Sequence, residues 1–74
     1  MFRINFRYSD SKEIILDNVK SIEYYTSTSI EVVPEKELLT RFLPIDRPLH
    51  VCTANKSCSV SNVNLISVEV IQFN

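Results

Sequence analysis

Leu49 to Val70 reads LHVCTANKSCSVSNVNLISVEV, and the N-terminal third of the chain says nearly the same thing. Laid over that third, Lys56 falls on Lys12, Cys58 on Ile14, Val60 on Leu16, and Asn62 and Val63 on Asn18 and Val19. After a two-residue insertion, Ser67-Val68-Glu69-Val70 falls on Ser21-Ile22-Glu23-Tyr24. Both copies spell strand, polar turn, strand, an Asn-Val step and a third strand. The copies span approximately 2–25 and 46–71 and are too small to hold separate cores, so residues 1–74 make one domain. The expected fold is mainly β: a small antiparallel barrel or sandwich of about six to eight short strands with an approximate internal two-fold repeat.

Working outward, Met1 to Tyr8 alternates cleanly. Phe2, Ile4, Phe6 and Tyr8 share one side, and Arg3, Asn5 and Arg7 the other, which is the pattern of a half-buried strand. Ser9 to Lys12 is a turn by composition, and Glu13 to Leu16 returns with Ile14 and Leu16 inward. Lys20 to Tyr25 puts Ile22 and Tyr24 on one face. Thr26 to Ser29 favours a turn, and Ile30 to Val33 is a strand stopped by Pro34, which has no N–H for a ladder.

Helix competes with strand at 35–43. Pro34 suits a first helical position, Leu38, Leu39, Phe42 and Leu43 share a helical face, and Glu37 stands four residues before Arg41. Leu39 to Phe42 also fits a strand, and the segment is short for a helix. Pro44 and Pro48 then bracket an irregular crossover. Leu65 to Ile71 has apolar residues on both faces, as expected of a central strand or one covered on its second side.

The chain holds no glycine, so positive-φ turn positions fall to Asn, Asp or Ser, with Asp10 and Asn55 well placed. A formal net charge of -1 gives no electrostatic footprint of a general nucleic-acid binder. Low net charge also mildly favours self-association, so a homo-oligomer is among the expected partners. No apolar run approaches the ~20 residues of a membrane span, and Arg3 and Arg7 interrupt the first residues, which predicts a cytoplasmic chain. Wording rich in Asn, Ser, Ile and Lys is compatible with a compact, low-GC mobile element.

Chemistry-bearing residues are few. Cys52 and Cys58 are placed to face one another across a turn, as a disulfide or as two reduced core thiols; cytosolic chemistry favours the latter. With the second copy in register on the first, His50 falls on Phe6, and His50, Cys52 and Cys58 share a side. That offers the donor types of a metal or redox site without the spacing of a zinc signature. The alternative role for His50 is a partly buried core residue. One histidine and no glycine supply neither a triad nor a phosphate loop, so neither an enzyme nor a cofactor or small-molecule substrate is expected.

Arg3 and Arg7 make a basic row that would serve a nucleic-acid-binding small barrel or, more simply, guard an edge strand. Tyr25 and Phe73 are opposite in phase to the inward residues, as exposed contact aromatics are, or as second-face core residues are if the halves pack as a sandwich. The function expected from this pattern is a small non-enzymatic protein–protein interaction or regulatory module. It would offer strand edges or rings (Tyr25, Phe73, with Arg3 and Arg7) to itself or to another protein.

Overall fold

The computed structural model describes residues 1–73. Seven strands follow in chain order: β1 (Phe2–Tyr8), β2 (Glu13–Asp17), β3 (Val19–Tyr25), β4 (Ile30–Pro34), β5 (Leu49–Thr53), β6 (Ser57–Val60) and β7 (Leu65–Gln72). They build two antiparallel sheets, β2-β1-β7 and β4-β3-β5-β6, which pack as a sandwich and do not close into a barrel.

The repeat is written into this topology by exchange. Each copy supplies a hairpin, β1–β2 or β5–β6, and sends its third strand to the hairpin of the other copy. Thus β7 pairs with β1, setting Val68 opposite Phe6, and β3 pairs with β5, setting Ile22 opposite Val51. A one-residue corner at Asn18 carries the chain from β2 in the first sheet to β3 in the second; Ser61 to Asn64 makes the return crossing.

Both crossings use the same backbone devices. Asn18 and Asn64 each precede a third strand with positive φ, 58° and 65°. Asparagine tolerates that region, where most side chains crowd the carbonyl, and this is how a chain without glycine turns its corners. Ser11, at φ 70°, does the same in the first hairpin. Asp10 and Asn55 instead support their turns by side chain: the Asp10 carboxylate accepts from the Lys12 amide at 3.2 Å, and the Asn55 carbonyl oxygen from the Thr53 hydroxyl at 3.1 Å.

Each third strand opens with a bulge. The pairing runs Val19 with Thr53 and then Ser21 with Cys52, leaving Lys20 extra. It runs Leu65 with Tyr8 and then Ser67 with Arg7, leaving Ile66 extra. A bulge shifts the phase of side chains, so Leu65, Val68 and Val70 all reach the core although they do not alternate in sequence. The broken alternation therefore has a local cause. β7 lies at a sheet edge, correcting the expectation of a central strand.

The core lies between the sheets. Ile4 and Phe6 of β1 meet Val19, Ile22, Val33, Leu49 and Val51 of the other sheet, all closed to solvent. Burying such a side chain stabilises by about 1.5–3 kcal/mol. Tyr8 joins them and satisfies its hydroxyl by donating to the Ser61 carbonyl at 2.7 Å. Removal from water lifts its pKa above the usual 10.0, and nearby Asp10 adds to the rise.

Between β4 and β5 the chain is neither a full helix nor a strand. A single 3-10 turn at Glu35–Glu37 is followed by turns and bends. Leu38 alone of the expected apolar face is buried; Leu43 packs partly, and Phe42 stands 98% exposed. The Glu37–Arg41 pair does form, at 2.9 Å, and Arg41 also reaches Glu31 at 3.8 Å.

Candidate functional site

The second hairpin decides where the chemistry-bearing residues point. In the first hairpin Arg7 pairs with Glu13, leaving Tyr8 to Lys12 as the loop; in the second Cys52 pairs with Ser57, leaving Thr53 to Lys56. The second loop is one residue shorter. A one-residue slip turns every side chain of a strand to the opposite face. The structural counterpart of Phe6 is therefore Val51, and that of His50 is Asn5.

His50 and Cys52 consequently face outward, while Cys58 lies opposite Val51 on the core side. The expected grouping of His50, Cys52 and Cys58 on one face is overturned, and with it the metal or redox site built on those three. The same register places Ser57, not Cys58, opposite Cys52, and both cysteines are free thiols. His50 is not a core histidine either: its Nδ1 lies 3.3 Å from the Ser59 hydroxyl, and Glu23 stands opposite it on β3. Among the described residues no three His, Cys, Asp or Glu side chains converge as ligands for a metal ion.

The outer face of the four-stranded sheet carries the most evident surface feature. Tyr25 pairs with Ile30 and Glu23 with Val32, so all four side chains share that face. Tyr25 is 75% exposed, Ile30 52% and Val32 50%. Beside them Glu23, Tyr25, Ile30, Pro48, His50 and Ser59 line a shallow depression of about 380 Å³. Arg47 pins the neighbouring loop by donating to the Tyr25 carbonyl at 2.8 Å while holding Asp46 at 3.0 Å. That contact keeps the Asp46 carboxyl below its ordinary range. Glu23 accepts only a weak bond from the Cys52 thiol, 3.9 Å away.

The outer face of the three-stranded sheet is built differently. Arg3 pairs with Asp17, and Arg7 with Glu13 at 3.2 Å, so the basic row is neutralised by the strand beside it. The hydrogen bond that Arg3 donates to the Asp17 carboxylate holds its guanidinium above the ordinary pKa. This strand is the centre of its sheet, not an edge, which corrects the edge-guarding role. Phe73 is half-buried beneath Arg3, whose guanidinium lies 5.1 Å from the ring centroid, so it is not a free contact ring. Between the arginines Asn5 donates to Glu13 at 3.1 Å, but its Oδ1 is buried without a donor, at a cost of about 1–3 kcal/mol.

Of the four contact residues expected from sequence, Tyr25 alone is a free ring. The sequence does not single out the apolar partners Ile30 and Val32, because alternation marks a strand but not which side a neighbour will cover. Comparison with protein-family models, curated proteins and solved structures finds no match. Among the described residues no helix is long and apolar enough to cross a membrane.

Proposed function

We propose that this domain is a non-enzymatic interaction module that engages another protein through the outer face of β3 and β4, with Tyr25, Ile30 and Val32 as the anchoring contacts. The observation that supports it most is that these three apolar side chains are adjacent on one sheet face yet at least half exposed. Exposed aromatic and aliphatic groups framed by polar residues are the composition of a binding hot spot. Glu23, His50 and Ser59 supply that polar frame. In this reading the domain works in the cytosol, and the same face is open to a second copy.

Multi-angle light scattering across a concentration series separates the two partners: a foreign partner leaves the isolated protein monomeric. A variant carrying Tyr25→Ser, Ile30→Thr and Val32→Thr should then retain at least about tenfold less of the partner captured by the unmodified domain. Equal capture by both would remove this face from the function.

A further inference from the structure

The internal two-fold relates β3 to β7, but the two strands have different neighbours. β3 is flanked by β5 on one side and β4 on the other; β7 has β1 on one side and a free edge on the other. The difference shows in burial. Ile22, opposite Val33 of β4, is sealed from solvent, whereas its counterpart Val68 is only partly covered. The free edge is long, running from Leu65 to Gln72, and holds neither proline nor lysine, the usual guards of an open edge.

Glu69 sits in the middle of that edge on the outer face, opposite Asn5. Among the described residues Glu23 and Glu69 are the two carboxylates without an ion pair, and they are counterparts in the repeat. Glu23 accepts from Cys52, while among the described residues no side chain donates to Glu69. The geometry points to a strand-addition site on β7 for an extended segment of another protein, running antiparallel, with a lysine or arginine opposite Glu69 between two apolar residues facing Val68 and Val70. The template is β4 on β3, where Val33 covers Ile22. Main-chain hydrogen bonds supply affinity in such complexes and alternate side chains supply selectivity.

A second copy fits this edge poorly. The edge strands β2, β4, β6 and β7 contain no lysine or arginine, so none brings a cation to Glu69 by edge pairing. β7 added to itself presents Ser67, Glu69 or Ile71 there. The occupant is therefore foreign. This site extends the proposed interaction role to a second surface and shares no residue with Tyr25, Ile30 and Val32.

The test is a titration of isotope-labelled protein with the capped peptide Thr-Thr-Val-Lys-Val-Thr-Thr, followed by amide shifts. Saturable shifts confined to Leu65–Gln72 and their β1 partners are expected. Replacing the peptide lysine with glutamate should weaken binding at least about fivefold, and Glu69→Lys should reverse the preference. Because Glu69 is exposed, that variant should keep the dispersed spectrum of the parent. Tyr25→Ser should leave the titration unchanged, which separates this site from the β3–β4 face. Absence of shifts at millimolar peptide, indifference to the peptide charge, or shifts centred on β4 would overturn the proposal. So would β7 shifts that appear on concentrating the protein alone.

Discussion

The backbone amide of Ser9 donates to the carbonyl of Asn64 at 2.8 Å, tying the first hairpin to the start of the third strand of the other copy. The repeat makes the same bond a second time, from the Ala54 amide to the Asn18 carbonyl at 3.1 Å. Both acceptors are the positive-φ asparagines at the sheet crossings. Two copies thus interlock through reciprocal bonds, and conformational strain at each crossing falls on the residue type that tolerates it.

Asn64→Ala should therefore cost about 1 kcal/mol, and Asn64→Gly much less, because alanine is penalised at positive φ and glycine is not. Asn18 should behave alike. Urea denaturation of the four variants checks this, and the two sites should respond in parallel.

Ile22→Ala should destabilise by about 2–4 kcal/mol, as expected for a sealed core position. Val68→Ala, at the equivalent but half-open position, should cost about 1 kcal/mol. Equal losses would mean that β7 is covered as fully as β3.

Tyr8→Phe removes the bond to Ser61 and should cost about 1–2 kcal/mol. The folded state raises the Tyr8 pKa, favouring the neutral phenol. Its stabilising contribution is therefore complete below the unfolded value near 10.0 and is lost as pH climbs through the higher folded value. Stability of the parent should fall more steeply above pH 10 than that of Tyr8→Phe, as thermal melts across alkaline pH would show.

The register of the second hairpin has its own chemical test. Lys56 lies between the cysteines, so trypsin separates Cys52 from Cys58 unless a disulfide joins them. Dilute protein oxidised while folded should yield separate peptides, because the two thiols occupy opposite faces. A linked pair would show that the strands slip by one residue.

Much of this architecture is visible in the residue pattern, and what is hidden has physical causes. Period-two alternation in Phe2 to Tyr8 and the Thr26 to Ser29 turn are local signals, and both are as the sequence implies. The exchange of third strands is a non-local pairing, on which local periodicity is silent. The outward facing of His50 and Cys52 is hidden for a smaller reason. Superposing Lys56 on Lys12 aligns β6 with β2 correctly, but the shorter loop leaves β5 one residue out of step with β1. Leu39 and Phe42 share a face with Leu38 only at a helical period, which the chain abandons after one 3-10 turn. The Tyr25, Ile30 and Val32 face depends on which side of the sheet is packed, a tertiary fact.

The exchange of third strands between copies is tested most directly by interstrand proton NOEs in the folded domain. Cross-strand contacts should link Phe6 with Val68 and Ile22 with Val51. A meander, in which β3 shows NOEs to β2 and β7 to β6 while those two links are missing, would contradict it.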